Sequence, residues 1–243
     1  MNRFQNQVAV ITGASSGIGR SIALGLAQEG ASLVLTARNA ERLQEVAEIA
    51  RSASSHVLCI PCDLNQDHNL RYLCTRLKNE LSEVHMLIHS AGAIHCGPVE
   101  SEPVENLDEM YQINLRAPYV LVQAMLPALQ SCQGQIVFIN SSAGTAKSRA
   151  NNGPYAAMKY ALRALTDSLR DEVNPHGIRV ISLFPGRTAT PMQAYVHQFE
   201  GRPYQPELLI QPNDVADILK QALTLPRTVE VTDLHFRPLI KSY

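Results

Sequence analysis

Two side chains four residues apart, Tyr155 and Lys159, carry the most suggestive chemistry in this 243-residue chain. At helical spacing both project from one face. A phenol with a pKa of about 10 is a poor base near neutrality, but a neighbouring ammonium stabilises the phenolate and lowers that value. A shift of about three units needs about 4 kcal/mol of differential stabilisation, within reach of a partly desolvated lysine helped by a second positive charge. Such a pair would move a proton to or from a substrate oxygen. Tyr-x-x-x-Lys alone is common on exposed helices, so its surroundings decide its meaning. Upstream, Ile139-Asn140-Ser141-Ser142 sets two hydroxyls at the end of an apolar run, where one of them could polarise a carbonyl. Asn114 could hold a water that connects Lys159 to solvent. Taken singly, Ser141 and Asn114 would read as cap or turn residues.

Proton transfer of this kind needs a redox partner, and the start of the chain offers a place for one. Thr12-Gly13-Ala14-Ser15-Ser16-Gly17-Ile18-Gly19 follows an apolar run directly and leads into a helical pattern. Glycine there permits a tight turn and lets backbone N–H groups and a helix N-terminus approach a pyrophosphate. The placement points to a nicotinamide dinucleotide, which would carry the hydride. Where an acidic residue would bind a ribose 2′-hydroxyl, the chain has Thr36-Ala37-Arg38. Arg offers a planar fork to a 2′-phosphate, so NADP(H) is expected. Asp63 stands where it could reach the adenine end or cap the following helix. Ala91-Gly92 would give the cofactor a small-residue floor.

The elements that must position these residues follow from periodicity. Runs at 8–12, 32–36, 57–60, 86–89, 136–140, 179–183 and 229–232 read as strands, mostly without alternation, as expected of strands covered on both faces. Helical patterns occupy 18–29, 40–51, 65–81, 117–130, 155–173 and 213–224. Asn39 and Pro212-Asn213-Asp214 mark helix starts, Gly30 marks an end, and Pro154 stands just before the long fifth helix. Strands alternating with helices predict an α/β doubly wound parallel Rossmann-type sheet of seven strands, order 3-2-1-4-5-6-7, with helices on both faces. Residues 1–243 read as one domain. Within it, 186–211 reads as an irregular substrate lid following a strand's carboxyl end.

Composition narrows the function classes. The formal net charge of -1 with dispersed Lys and Arg leaves no basic footprint for nucleic acid or an anionic membrane. The apolar runs are strand-sized, and no secretory apolar region precedes Val8, which suggests a cytoplasmic protein. Five cysteines, an odd number in a chain this long, fit a reducing compartment. Cys59-Ile60-Pro61-Cys62 lacks a second pair with ligand spacing, so we expect small apolar residues there and no metal.

Together, Thr12-Gly13-x-x-x-Gly17-x-Gly19, Ala91-Gly92, Asn114, Ser141, Tyr155-x-x-x-Lys159 and Pro185-Gly186 resemble the short-chain dehydrogenase/reductase family over residues 6 to 192. The resemblance implies that Tyr155 is the acid/base, that Lys159 binds the nicotinamide ribose and tunes Tyr155, and that Asn114 completes a proton relay. It implies that Ser141 orients the carbonyl, preferred over Ser142 by its distance to Gly144, and that Pro185, Gly186, Thr188 and Thr190 line the carboxamide. Two departures stand out. Ser90-Ala91-Gly92 replaces the usual Asn-Ala-Gly, so a shorter side chain must tie this loop to the sheet. The Asp-Gly-Gly segment of the acyl-carrier-protein ketoreductases gives way to Val231-Thr232-Asp233-Leu234-His235-Phe236-Arg237-Pro238, an ending more similar to the branch acting on small hydroxy acids or pterin side chains.

The expected reaction is hydride transfer between NADP(H) and a ketone or secondary alcohol, of carbonyl reductase or alcohol dehydrogenase type. The alternative is a non-catalytic NADP(H)-binding sensor or scaffold, which would have no need of Asn114, Ser141, Tyr155 and Lys159 together. Substrate contacts are expected from His95, Cys96, Ser142, Lys147-Ser148-Arg149, Arg187, Gln193, Tyr195 and His197. The cationic members suit an anionic group near the ketone, or equally form a solvated basic loop. Tyr119, Val120, Val122, Met125, Leu126 and Leu129, with Tyr160, Leu162, Leu165 and Leu169, exceed what one sheet face needs. By the resemblance they form the interface of a homodimer or homotetramer.

Overall fold

A computed structural model describes residues 2–54, 56–146 and 148–240. Seven strands, β1 (Val8–Thr12), β2 (Ser32–Thr36), β3 (Val57–Cys59), β4 (Met86–His89), β5 (Gln135–Ile139), β6 (Arg179–Pro185) and β7 (Asp233–Phe236), form one parallel sheet in the order β3-β2-β1-β4-β5-β6-β7. The order reverses at β1, which pairs with β2 and β4 so that Thr12 lies level with both Thr36 and His89. The crevice above these strand ends is where a doubly wound sheet binds ligands.

Among the described residues, eight α-helices flank the sheet: α1 (Gly17–Gln28), α2 (Ala40–Arg51), α3 (Asp67–Glu80), α4 (Val104–Tyr111), α5 (Ala117–Gln130), α6 (Gly153–Val173), α7 (Pro191–Phe199) and α8 (Pro212–Leu223). Ile11 packs into one apolar cluster with Ile22, Leu43 and Leu219; its neighbour Val10 packs into the other with Leu73, Leu121 and Leu162. Both faces of β1 are therefore dry, which explains the unbroken apolar strand sequence. Asn39 caps α2, its Oδ1 accepting from the Arg42 N–H at 2.8 Å, a contact worth about 1 kcal/mol. His89, buried against the Phe138 ring at 4.8 Å, has its pKa pushed down to about 3 by burial and packs as a neutral aromatic.

Four expectations need correction. The last strand is 233–236, not 229–232. The β-branched run before it is a connector, because the Arg179 guanidinium gathers the carbonyls of Leu223, Leu225, Pro226 and Val229 and holds that stretch off the sheet. Residues 186–211 are not irregular: α7 and a short 3₁₀ turn at Pro206–Leu208 lie within them. The Thr190 hydroxyl accepts from the Gln193 N–H at 3.2 Å and Pro191 opens the helix, a start signal hidden inside a short polar stretch. Pro154 sits inside the first turn of α6, one residue past its start at Gly153. Finally, Val122, Met125, Leu129, Leu162 and Leu169 are core residues, and only Tyr119 and Tyr160 of the proposed interface set are broadly exposed. α5 and α6 lie on a sheet face that needs those side chains for itself.

An unforeseen feature joins α4 to α5: a π-helical turn, Gln112–Arg116, inside one continuous helical run. Such turns carry an extra residue and recur at functional sites. Among the described residues, no helix is long and apolar enough to cross a membrane.

Candidate active site

A cleft of about 500 Å³ opens above the carboxyl ends of β1, β2, β4, β5 and β6, within the size range of cofactor sites. Gly13, Ser15, Ser16, Gly17, Ile18 and Gly19 form one wall. Two glycines there leave no room for a side chain. Gly13 has a φ of +68°, and a Cβ on it would lie 2.7 Å from the Ala91 backbone; a Cβ on Gly19 would lie 2.4 Å from the Gly13 carbonyl oxygen. The Ser16 side chain does not cap α1, so the first-turn N–H groups remain available to a ligand at the cleft wall. Uncapped donors at a helix N-terminus suit a pyrophosphate. The facing loop is tied down by Thr12, whose hydroxyl accepts from the N–H groups of both Ser90 and Ala91 at 3.1 Å. The tie that the sequence reading asked of Ser90 is thus made from β1.

At one end of the cleft Arg38 stands exposed, with the Glu109 carboxylate 3.8 Å away. Asn39 and Arg42 line the same end. Asp63 lines it too and folds back locally, accepting from the Asn65 N–H at 3.1 Å; the position before α3 is taken by Gln66. At the other end lie Pro185, Gly186, Thr188 and Thr190, with Met192 and Gln193 from α7. Gly186 is held on β7, its N–H donating to the Phe236 carbonyl at 2.8 Å. Two cationic forks at one end, helix donors in the middle and small polar residues at the far end fit the charge pattern of a phosphorylated dinucleotide.

The four residues singled out for proton chemistry converge here in part. Tyr155 and Lys159 sit one turn apart on α6, nearly fully buried, with the Lys159 ammonium 5.7 Å from the Tyr155 ring centre. Lys159 Nζ donates to the Ile139 carbonyl at 3.1 Å. Burial pushes the Lys159 pKa down to about 8. Burial also raises the Tyr155 pKa above its ordinary value, with a hydrogen bond from Ser141 opposing the rise. Desolvation, not the pairing expected of Lys159, governs both groups: each resists charge singly, while a phenolate beside an ammonium would relieve both.

Ser141 lines the cleft, its Oγ accepting from the Ala143 N–H at 3.1 Å, whereas Ser142 is exposed and lies outside it. Asn114 is buried in the π turn, and its amide grips both sides of Ala93: Nδ2 donates to the carbonyl at 2.8 Å and Oδ1 accepts from the N–H at 3.1 Å. Its side chain is an anchor for the loop after β4, a different engagement from the water-holding role expected of it.

None of the expected substrate contacts His95, Ser142, Arg149, Arg187 or Tyr195 is among the residues lining this cleft. His95, Arg187 and Tyr195 instead make contacts beside it. The Arg187 guanidinium is paired with Glu200 at 2.6 Å, pinning the end of α7 to the residue after Gly186. Burial pushes the Glu200 carboxyl up, but the bond and charge of Arg187, together with the charges of Arg202 and His197, outweigh it and hold its pKa below the ordinary value. Tyr195 Oη accepts from the Cys96 N–H at 3.4 Å, and His197, buried, lies edge-on to Tyr204. Arg149 is exposed, and Lys147 lies outside the described residues. Gln193, alone of the expected lid contacts, reaches the cleft.

Sequence reading missed Arg42, Glu109, Ile113 and Met192. Arg42 could have been found as the residue one turn after Arg38. Glu109 and Ile113 share a helix face, a signal readable only once α4 itself is recognised.

A family model described as short chain dehydrogenase matches residues 7–201. An uncharacterised oxidoreductase of Staphylococcus epidermidis is 32% identical over 240 residues, 98% of this chain and 100% of its own length. A solved short-chain dehydrogenase of Shigella flexneri complexed with NADP is similar with a TM-score of 0.87 at 29% identity, covering 96% of this chain and 98% of that one. An alcohol dehydrogenase of the archaeon Thermococcus sibiricus complexed with 5-hydroxy-NADP reaches a TM-score of 0.86 at 28% identity, covering 98% of both chains. Fold, cleft and full-length similarity agree: the chain is an oxidoreductase that belongs to the short-chain dehydrogenase family.

Proposed function

We propose that the protein interconverts a ketone and a secondary alcohol with NADP(H), with Tyr155 as acid/base. The observation that carries this reading is the buried Tyr155 phenol hydrogen-bonded by Ser141 at the cleft, one helical turn from buried Lys159. NADP(H) is supported by Arg38 and Arg42 at one end of the cleft, by the absence of a carboxylate at positions 36 and 37, and by the NADP-bound relatives. Bound there, the dinucleotide would supply or accept the hydride.

The chain's own residues then account for the proton. With its pKa raised, Tyr155 rests as a neutral phenol, the form that donates to a carbonyl oxygen as hydride arrives at carbon. Ser141 donates to the same oxygen and stabilises the charge that develops on it. In the oxidative direction Tyr155 must first lose its proton, and buried Lys159 supplies the positive charge that makes the phenolate tolerable. Asn114 contributes by fixing the loop at Ala93 beside the cleft.

On this reading residues 1–243 work as one unit, with α7 and its flanks at 186–211 as the wall against which the substrate lies. The five cysteines are free thiols, in keeping with a cytoplasmic setting. Tyr119 and Tyr160, exposed on α5 and α6, support a homodimer or homotetramer, for which light scattering at micromolar concentration is the check.

The deciding experiment is a panel of ketones, diketones and hydroxy acids with NADPH and NADH, for wild type and Tyr155→Phe. We expect turnover with NADPH and a loss of about 10²- to 10⁴-fold in the variant, with NADPH affinity retained. Full turnover in Tyr155→Phe removes the acid/base assignment, and a preference for NADH removes the cofactor assignment.

A further inference from the structure

One carboxylate in the cleft has no part in the chemistry above, and it stands where an anionic ligand would least welcome it. Glu109 projects from α4 on the same face as Ile113, and both line the cleft. Its two oxygens serve different segments. One lies 3.8 Å from the Arg38 guanidinium across the crevice, and the other is 2.7 Å from His95 Nε2 in the loop after β4. Glu109 therefore links the β2–α2 side of the cleft to the β4–α4 side at the end where Arg38 and Arg42 converge.

We propose that Glu109 is a specificity-determining residue: it engages Arg38 and competes with the adenosine 2′-phosphate for that guanidinium. The inference rests on the NADP(H) reading above. Arg38 is 72% exposed in its side chain and long enough to turn, so a phosphate can take it from Glu109. Glu109 is held by His95 and stays behind as a negative charge facing the newly bound one. The contest concerns only the 2′-phosphate. A dinucleotide with a bare 2′-hydroxyl neither needs Arg38 nor meets Glu109 as a like charge, so Glu109 narrows the enzyme's preference for NADP(H) over NAD(H). His95 ties the same carboxylate to the loop carrying Cys96, whose N–H reaches Tyr195 of α7. Release of Arg38 is thereby felt at the substrate wall.

The test uses binding. Titrations of NADPH, NADH, adenosine 2′,5′-bisphosphate and AMP are compared for wild type, Glu109→Gln, Arg38→Ala and the double variant. Glu109→Gln should tighten NADPH and the bisphosphate about three- to five-fold, the size of one half-exposed ion pair, and move NADH and AMP by less than about 1.5-fold. On the Arg38→Ala background the gain should shrink toward none, since the competition is for that residue. Unchanged or weakened NADPH binding in Glu109→Gln, or equal tightening of NADH, overturns the proposal. AMP binding guards against misfolding, because a damaged cleft would lose it as well. A wild type that holds NADH as tightly as NADPH fails the cofactor reading, and this proposal with it. A wild type that prefers NADPH but shows no response to Glu109→Gln fails the proposal alone.

Discussion

The two walls of the cleft are built by different means. On the β1–α1 side the backbone does the work: Gly13 and Gly19 bring main chain against main chain, and the Thr12 hydroxyl clamps the loop after β4. On the α7 side, side chains do the holding: Arg187 pairs with Glu200, His197 lies against Tyr204, and the Tyr195 hydroxyl accepts from the distant Cys96 N–H. A backbone wall has one geometry and fails outright when a group is added. A side-chain wall can lose one pair and remain, because each contact is partly exposed and weak.

Four substitutions test this contrast, from the largest expected effect to the smallest. Gly19→Ala drives a Cβ into the Gly13 carbonyl and should lower dinucleotide affinity at least about ten-fold, with about 1–3 kcal/mol lost in urea unfolding. Wild-type affinity in this variant would mean that the turn yields, and the contrast would collapse.

Lys159→Met should abolish turnover yet stabilise the fold by about 1–2 kcal/mol near neutral pH, because a buried ammonium with its pKa pushed down to about 8 is removed. The sign follows from proton counts. Between about pH 8 and pH 10.4 the unfolded chain holds the Lys159 proton more tightly than the folded one, so this residue's contribution to stability rises with pH across that window. Urea midpoints against pH should show that slope in wild type and lack it in Lys159→Met.

Arg38→Ala should cut the preference for NADPH over NADH about ten-fold by titration, with NADH affinity unchanged. The smallest effect belongs to Glu200→Gln, which leaves α7 capped by Thr190 and Pro191: less than about 1 kcal/mol in stability and a change in KM with kcat held. A collapse of kcat there would show the α7 wall to be as unforgiving as the β1–α1 wall.

The same division explains what could be read from the sequence. Tyr155 with Lys159, and the Gly13 to Gly19 turn, declare themselves because their chemistry depends on local spacing, and the sheet order follows from alternating strands and helices. Glu109 and the Arg187–Glu200 pair depend on tertiary approach, which no local pattern records. α7 escapes because it is only nine residues long and buries His197 and none of its apolar side chains, so no core-facing apolar stripe marks it. The strand at 229–232 was misplaced because β-branched propensity there lost to the demand of Arg179 for four carbonyls. The apolar residues of α5 and α6 were assigned outward because their number, without their phase, could not separate core from interface.

The π turn at Gln112–Arg116 has a consequence for insertions and deletions in this stretch. An α-helix advances about 100° per residue, so the extra residue sets Glu109 and Met110 before it and Leu121 and Met125 after it in separate rotational frames. Removing one residue between 112 and 116 would leave an acceptable α-helix. It would also swing either the cleft-facing Glu109 and Ile113 or the core-facing α5 out of place. The helix thus behaves as a phase coupler, and its least regular turn is the part whose residue count cannot change.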